Sequence, residues 1–196
     1  MRVIGITGGI ATGKSTVTQM LADLGAPTLS ADAVARDVLA PGTETTRQVL
    51  AAFPTCADSS SADTVSRRAL SLLVFADPDA RLRLQALTHP AIRAVMLPQI
   101  AAWQAAGEGT AAVEIPLLYE GGWETALNGV VVVTCAEATQ LARLRARQGI
   151  DEAEARRQIA AQQPLPEKAA RADFVITTDG TPEDTRRQVQ FLWNRL

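Results

Sequence analysis

Residues 7–16 read Thr-Gly-Gly-Ile-Ala-Thr-Gly-Lys-Ser-Thr, and residues 8–15 of this stretch satisfy the pattern G-x-x-x-x-G-K-[ST]. Glycines at this spacing let a loop curl so that successive backbone N–H groups converge on phosphate oxygens, and the helix that follows adds its positive end. The apolar, β-branched run Arg2–Thr7 predicts a buried strand before the loop, and a helical pattern begins at Lys14. The stretch therefore predicts a phosphate-binding loop between a strand and a helix.

The side chains of this loop indicate how a nucleotide binds. Lys14 is predicted to reach the β and γ phosphates, the Ser15 hydroxyl to ligate Mg²⁺, and Thr16 to contact the α-phosphate. The alternative is a chance match to the pattern. Only two of the 19 basic residues, Lys14 and Lys168, are lysines, so a basic residue placed there by chance would seldom be a lysine. The predicted nucleotide-binding residues of the loop are Gly9, Ile10, Ala11, Thr12, Gly13, Lys14, Ser15 and Thr16.

Strand and helix patterns alternate along the rest of the chain, which predicts an α/β fold with a parallel sheet. Further strands are expected at Pro27–Leu29, Ala111–Ile115, Val130–Cys135 and Phe174–Thr177, and a closing helix at Pro182–Leu196. Helices are expected over most of Ala31–Ala106, with breaks near Pro41-Gly42 and in the polar stretch Asp58–Asp63. We expect a P-loop kinase-type five-stranded parallel sheet flanked by helices, in one domain. Its expected parts are a core (about 1–31, 107–135 and 164–196), an inserted helical acceptor-binding lobe (about 32–106) and a lid with two Arg-rich helices (about 136–163).

Composition excludes several functional classes. The 196 residues carry a net charge of −2, which argues against a generic nucleic-acid or membrane-surface binder. Cys56 and Cys135 are too few for a disulfide scaffold or a cysteine-based zinc site. No apolar run approaches the roughly 18 residues that span a bilayer, and the N-terminal stretch lacks a signal-peptide pattern. We therefore expect a soluble cytoplasmic protein whose oligomeric state the sequence does not indicate.

The position of Asp32 favours a kinase with an alcohol acceptor. The chain lacks the N-K-x-D motif of GTPases and the L-S-G-G-Q signature of ABC ATPases, which leaves small-molecule and nucleotide kinases. Asp32 follows the second predicted strand, so it lies at the same sheet edge as the phosphate loop. A carboxylate there can accept a proton from an attacking hydroxyl or help hold Mg²⁺. The alternative is that Asp32 only caps the helix that follows it.

Several ordered motifs resemble one family over nearly the whole chain. They are the loop at 7–16, Ser30-Ala31-Asp32 with Arg36, Thr88-His89-Pro90 with Arg93, Ile115-Pro116-Leu117-Leu118-Tyr119-Glu120, Gln140 with Arg143 and Arg147, and a closing set of Gln162, Pro164, Lys168, Ala172-Asp173, Val175-Ile176 and Gly180. Together they resemble the dephospho-CoA kinase family. Ser30 and Thr178 depart from the Asp and Asn that this family's pattern carries at those positions.

The resemblance implies ATP-dependent phosphorylation of the ribose 3′-hydroxyl of dephospho-CoA, which gives CoA and ADP in the last step of coenzyme A biosynthesis. The implied cofactors are ATP and Mg²⁺, with Ser15 and Asp32 as metal ligands. The implied catalytic residues are Asp32, Lys14 and Arg143, and Arg143 and Arg147 would contact ATP. The implied acceptor-binding residues are Thr7, Asp32, Arg36, His89, Arg93, Pro116, Leu117 and Tyr119.

Simpler interpretations of several residues remain open. His89 before Pro90 is as consistent with helix-terminal packing as with a hydrogen bond to the acceptor. Pro116 and Leu117 could wall a channel for the acceptor or belong to the core. Glu114 resembles a Walker-B-like acid but could equally face the surface.

Two further alternatives concern charge and function. Arg143 and Arg147 share a helix face that either closes on the phosphoryl group or is only solvated. For the whole protein, the alternatives are another P-loop kinase acting on a nucleoside or small alcohol, and a nucleotide-binding switch without turnover.

Overall fold

A computed structural model describes residues 1–107 and 109–196 and divides them into two compact units. The sheet unit consists of Met1–Ser30 and Gln99–Leu196, and the helical unit of Ala31–Pro98. Residue 108, inside the predicted core range 107–135, lies outside the described residues. Among the helices that the structure describes, none is long and apolar enough to cross a membrane.

The sheet unit is built on a five-stranded parallel sheet, which confirms the predicted fold class. Its strands are β1 (Arg2–Gly8), β2 (Thr28–Ser30), β5 (Thr110–Glu114), β6 (Gly129–Thr134) and β7 (Phe174–Thr177). Their order across the sheet is β2-β5-β1-β6-β7, and every neighbouring pair is parallel. β1 is central, and all five residues of β5 are buried, as expected for strands covered on both faces. The carboxyl ends of all five strands therefore lie along one edge.

Six helical segments belong to the sheet unit. They are α1 (Lys14–Asp23), the end of α5 (Pro78–Ala105), α6 (Glu137–Gln148), α7 (Glu152–Ala160), α8 (Leu165–Ala170) and α9 (Pro182–Trp193). The two Arg-rich helices predicted between 136 and 163 correspond to α6 and α7. The short helix α8 was not predicted, and α9 ends three residues before the predicted end at Leu196.

Side chains along β1 point alternately to the two faces of the sheet, and different elements pack on each face. Ile4 and Ile6 pack in a buried cluster with Val17 and Leu21 of α1 and with Val189 of α9. Gly5 faces the opposite side, where the segment after β5 crosses the sheet. A Cβ atom on Gly5 would lie 2.5 Å from Cδ1 of both Leu118 and Leu127. The missing side chain thus lets this irregular segment pack directly on the central strand.

The helical unit has its own small core. It contains α2 (Ala31–Val38), α3 (Glu44–Ala52), β3 (Ala57–Asp58), β4 (Ser61–Val65), α4 (Arg67–Ala76) and the first part of α5. Val49, Phe53, Leu70 and Ala80 are buried together within it. The antiparallel hairpin of β3 and β4 corrects the sequence prediction, which placed only a break between helices at 58–63. Asp58 accepts hydrogen bonds from the backbone and hydroxyl of Ser60, and this local turn chemistry reverses the chain there.

The long helix α5 decides between the two interpretations that were left open for the place of His89 in the fold, because it continues through Pro90 and Pro98. His89 is therefore inside a helix, and its interpretation as a helix-terminal residue is wrong. Buried side chains recur every four residues along α5, at Thr88, Ile92, Met96 and Ile100. This buried stripe continues past both prolines, so packing of one face outweighs the hydrogen bonds that proline removes.

Candidate active site

The phosphate loop, residues 8–15, joins β1 to α1 in a conformation that its glycines permit. A Cβ atom on Gly8 would overlap the carbonyl oxygen of Val133 on the neighbouring strand β6. Gly13, at the N-cap of α1, has a φ of 90°, and Ala11 at the tip of the loop has a φ of 59°. Left-handed backbone at a non-glycine residue is uncommon and concentrates at ligand-binding loops. The loop thus has the tight curvature that a phosphate cradle requires.

Side chains of the loop fall into two groups by exposure. Lys14 is buried, and its Nζ donates to the carbonyl oxygen of Gly9 at 2.7 Å. Thr12 is fully buried, and its hydroxyl donates to the same carbonyl oxygen at 2.9 Å. Ser15 and Thr16, by contrast, are exposed in the first turn of α1. The backbone of the loop is therefore held by two buried side chains, while the hydroxyls of Ser15 and Thr16 remain accessible to a ligand.

Two glutamines from distant segments hold the tip of the loop. The side-chain amide of Gln140 on α6 donates to the carbonyl oxygen of Ile10 at 2.8 Å. The backbone N–H of Ile10 donates to Oε1 of Gln162 at 2.7 Å, so both backbone groups of one residue are bonded. Both glutamines belong to the motifs that resemble the family, but the motifs did not indicate a role for either residue. Their function is visible only in three dimensions, because they lie 130 and 152 residues from Ile10.

Thr178 at the end of β7 connects the loop to α6. Its hydroxyl donates to the carbonyl oxygen of Thr12 at 2.8 Å and accepts from Arg143 at 2.8 Å. Arg143 also donates to the backbone oxygen of Thr178 at 2.6 Å. The residue that departs from the family pattern therefore bonds both the phosphate loop and a predicted ATP-binding arginine.

The next residue, Asp179, caps α6 from outside that helix. Its carboxylate accepts from the backbone N–H of Ala136 and, at 2.7 Å, from the hydroxyl of Thr139. The hydrogen bond from Thr139 contributes most to lowering the pKa of Asp179 below its usual value, and the bond from Ala136 follows. Asp179 thus supplies the anchor that the N-cap residue Ala136 itself lacks.

Arg147, the other predicted ATP contact on α6, is exposed in the last turn of that helix. Nearby arginines differ from it because they are paired: Arg145 with Glu152, and Arg156 with Glu137 and Glu152. Within the part of the chain that the structure describes, Arg147 takes part in no ion pair. Its guanidinium group is therefore available to an anion.

Asp32 and Arg36 lie on α2 in the helical unit. Both side chains are exposed, and α2 begins at Ala31, so Asp32 lies in the first turn and not at the N-cap. No described residue donates a hydrogen bond to the Asp32 carboxylate. The interpretation of Asp32 as only a helix cap therefore has no support in the geometry of α2.

His89 and Arg93 are four residues apart on α5, and both are half-buried. Burial lowers the pKa of the His89 imidazole below its usual value near 6.5, and the charge of Arg93 lowers it further. Both causes favour the neutral form of the ring, which has one N–H donor and one acceptor. The pair combines a neutral hydrogen-bonding group with a fixed positive charge.

Four other predicted acceptor residues lie in the sheet unit. Thr7 is fully buried, and its hydroxyl donates to the carbonyl oxygen of Pro116 at 3.1 Å. Pro116 and Leu117 are half-buried at the end of β5. Tyr119 is buried beneath the guanidinium group of Arg171, which lies 4.0 Å from the centre of its ring. The structure thus joins Thr7 to Pro116 and packs Tyr119 as a core residue.

Glu114, the last residue of β5, is buried, which contradicts its interpretation as a surface-facing side chain. It lies in register with Ile6 on β1 and with Ser30 on β2. It is therefore next to the strand that leads into the phosphate loop, as a Walker-B-like acid would be.

A cavity of about 710 Å³ lies between α6, α7 and α8. Its lining includes Gly9, Cys135, Gln140 and Gln162, but among the described residues Gly9 alone comes from the phosphate loop. Burial raises the pKa of the Cys135 thiol, while the charge of Arg143 opposes that shift. The cavity thus brings residues of α6, α7 and α8 next to Gly9 of the phosphate loop.

Comparison with known proteins places this site in a family. The model of the family described as dephospho-CoA kinase matches residues 2–184. The chain belongs to the dephospho-CoA kinase family. The resemblance stated from the motifs is confirmed, and so is the assignment to the kinases, a class of transferases.

Individual members of this family align along nearly the full chain. A protein named dephospho-CoA kinase from Anaeromyxobacter dehalogenans is 48% identical over 184 residues, which cover 93% of this chain and 86% of that protein. A crystal structure of a Thermus thermophilus protein is 33% identical and superimposes with a TM-score of 0.80, covering 100% of this chain and 97% of that one. The dephospho-CoA kinase structure from Campylobacter jejuni is 26% identical with a TM-score of 0.64, covering 99% and 96%.

Proposed function

We propose that this chain transfers the γ-phosphoryl group of ATP to the ribose 3′-hydroxyl of dephospho-CoA, which produces CoA and ADP. The observation that carries the proposal is the exposed Asp32 carboxylate, two residues after the end of β2, in a chain whose β1 leads into a phosphate loop. A carboxylate base is needed by an alcohol acceptor but not by a phosphate acceptor, which is already anionic. Relatives named dephospho-CoA kinase support the choice of alcohol.

The donor side of the reaction is assigned to the phosphate loop. Backbone N–H groups of the phosphate loop and the Lys14 ammonium group would surround the β and γ phosphates, and Thr16 would contact the α-phosphate. The N–H of Ile10 is not among these donors, because it already donates to Gln162. Because transfer of a phosphoryl group depends mainly on positioning and electrostatics, a loop that is already bonded at its tip is suited to the task.

The residues present fit Mg²⁺ held largely by phosphate oxygens and water. Among described residues, no three His, Cys, Asp or Glu side chains cluster as a protein-only metal site would require. The exposed hydroxyl of Ser15 is an oxygen ligand of the kind Mg²⁺ takes in phosphate sites, and Asp32 is the second predicted ligand. When bound, the ion would neutralise charge on the phosphates.

On the acceptor side, Asp32 would take the proton of the 3′-hydroxyl as the ribose oxygen forms its bond to the γ-phosphorus. The bond from that phosphorus to the bridging oxygen of ADP breaks in the same transfer. Arg36, His89 and Arg93 would bind the acceptor within the proposed acceptor lobe (about 32–106), and Pro116 and Leu117 would line its path. Arg143 and Arg147 would stabilise negative charge from the proposed lid (about 136–163).

We place the protein in the cytoplasm, with dephospho-CoA as its small-molecule partner and without a nucleic-acid or membrane partner. The net charge of −2 supports the absence of a nucleic-acid partner, since a nucleic-acid binder carries a basic surface.

The proposal is tested by measuring ADP release with MgATP and a panel of acceptors. Dephospho-CoA should give one ADP per acceptor, and the product should carry the new phosphate at the 3′-position by NMR. CoA itself, whose 3′-hydroxyl is already phosphorylated, is the matched acceptor control and should give only the background rate. Faster turnover with a nucleoside or small alcohol than with dephospho-CoA would instead identify another P-loop kinase, and ADP release independent of any acceptor would indicate a switch.

A further inference from the structure

Lys168 on α8 is the largest fully buried side chain of the described residues, with an exposed fraction of 0%. Burying an ammonium group costs several kcal/mol unless partners compensate it, roughly as for any buried ion. The partners are present: Nζ lies 2.7 Å from Oε1 of Glu120 and donates to the carbonyl oxygen of Pro116 at 3.2 Å. Lys168 therefore makes its polar contacts with the segment Pro116–Glu120, which follows β5.

Two other groups converge on the same segment. The Thr7 hydroxyl on β1 also donates to the carbonyl oxygen of Pro116, at 3.1 Å. The backbone N–H of Gln163 donates to Oε1 of Glu120 at 3.3 Å, the same oxygen that pairs with Lys168. Both ends of the segment Pro116–Glu120 are thus fixed, and Lys168 makes a polar contact with each end.

This segment needs such fixing because it has no regular structure of its own. Leu118 rests on Gly5 of β1, and turn hydrogen bonds run from Gly121 to Leu117 and from Trp123 to Leu118. Hydrophobic contact is non-directional, so packing of Leu118 alone does not set the position of Pro116 to a fraction of an ångström. Directed hydrogen bonds to the Pro116 carbonyl oxygen, in contrast, set the position of Pro116.

The residue type adds a second argument. Buried ion pairs seldom stabilise a fold more than apolar replacements do, so a buried pair is often kept for a specific geometry. The other basic residues of this chain, apart from Lys14, are arginines. A compact ammonium group with three donors suits two acceptors in a closed space, whereas a planar guanidinium group does not.

We infer that Lys168 is a positioning residue for the acceptor: it holds Pro116 and the segment Pro116–Glu120 in the place where dephospho-CoA passes. This inference rests on the proposed function, in which Pro116 and Leu117 line the path of the acceptor. It assigns Lys168 no contact with either substrate.

The test compares Lys168→Met with the parent enzyme in steady-state kinetics with MgATP and dephospho-CoA. Methionine keeps the length of the side chain but cannot donate to Pro116. We expect kcat/KM for dephospho-CoA to fall by about 10- to 100-fold, the range that misplacement by up to about 1 Å produces. The KM for ATP should stay at the parent value. Hydrogen exchange at the amides of Gly121 and Trp123 should accelerate, because the segment is released.

Two further variants guard against a trivial result. Thr7→Val removes the other donor to the Pro116 carbonyl without removing a charge, and it should raise the KM for dephospho-CoA in the same direction. If Lys168→Met does not fold, Thr7→Val decides alone. Arg187→Met removes the cation of an exposed ion pair with Asp184 on α9 and should keep all kinetic constants of the parent.

Parent kinetics for dephospho-CoA in a folded Lys168→Met protein would overturn the inference, and so would equal losses for ATP and dephospho-CoA. If the Lys168→Met protein does not fold, a parent KM for dephospho-CoA in Thr7→Val would overturn it. Failure of the proposed function is distinguishable, because the parent protein itself would then not phosphorylate dephospho-CoA.

Discussion

The phosphate loop and the helical unit present their functional groups in opposite ways. The loop is bonded by side chains from three other segments, through Gln140, Gln162 and Thr178. In the helical unit, the candidate acceptor groups Asp32 and Arg36 are exposed on α2, whereas His89 and Arg93 are half-buried on α5. We therefore expect the fold to hold the phosphate loop in place, and the bound acceptor to order the side chains of Asp32 and Arg36.

The largest effect that separates the two regions is expected for Asp32→Asn. Asparagine keeps the shape of the side chain but cannot take a proton, so turnover should fall by about 10²–10⁴. ATP affinity, measured by calorimetry, and the Tm should stay at the parent values. A magnesium-binding role would weaken ATP affinity in a Mg²⁺ titration as well.

The matched control for this variant is Asp37→Asn, five residues along the same helix and equally exposed. It should keep the parent rate. If Asp32→Asn also keeps the parent rate, Asp32 is not the base, and this residue no longer supports an alcohol acceptor.

Lys14 tests the preorganised side of the comparison. Lys14→Ala removes the positive charge from the β and γ phosphates, which should cost about 10²–10³ in kcat. Lys14→Arg should not restore activity, because a planar guanidinium group cannot occupy the position of a compact ammonium group in a buried site. Stopped-flow kinetics on folded protein checks both variants, and near-parent turnover in either one would contradict the phosphate-cradle assignment.

Thr178→Val sharpens the comparison by loosening the loop without touching its sequence. The valine loses the bond to the carbonyl oxygen of Thr12 and one of the two bonds from Arg143, and it keeps the bond that Arg143 donates to the backbone oxygen of residue 178. We expect a loss of about 1–2 kcal/mol, or roughly 5- to 30-fold in KM for ATP. Thr177→Val, at an exposed neighbouring position, is the control and should bind ATP as the parent does. Unchanged ATP affinity in Thr178→Val would show that the loop does not depend on this bond.

The smallest expected effect concerns His89 and stability. Its pKa in the folded protein is lowered by burial and by Arg93, so the unfolded state binds the proton more readily. Stability should therefore fall as the pH decreases below about 6.5 and approaches the lowered pKa, and His89→Gln should lose this part of the dependence. Tm values between about pH 7.5 and 5.5 measure it. Parallel curves for the two proteins would show that His89 does not contribute.

Local sequence was sufficient for the loop and the sheet because both depend on short-range rules. Glycine spacing fixed the expectation at residues 8–15, and the β-branched run of Val130–Cys135 predicted a buried strand that the structure has at Gly129–Thr134. The five-stranded parallel sheet and the enzyme class followed from these elements and from the motifs that resemble the family, whereas the order of the strands was not predicted.

Other features could not be predicted because they depend on contacts between distant residues. At Asp58 and Ser60, where only a break between helices was predicted, local hydrogen bonds form the turn of a hairpin. Tertiary packing allows α5 to continue through Pro90, although the helix propensity of proline is unfavourable inside a helix. The bonds from the backbone N–H of Ile10 to Gln162 and from Lys168 to Glu120 join residues that no sequence spacing relates. The roles of the site residues remain predictions.

Hydrogen exchange with each substrate separately tests most directly that the two regions bind different substrates. The conditions are protein alone, with a non-hydrolysable MgATP analogue, with dephospho-CoA, and with both. The account predicts that the analogue protects α1, which follows the phosphate loop, and that dephospho-CoA protects α2 and the half of α5 that contains His89 and Arg93. Protection of α2 and α5 by the analogue alone, with no further slowing when dephospho-CoA is added, would contradict the account.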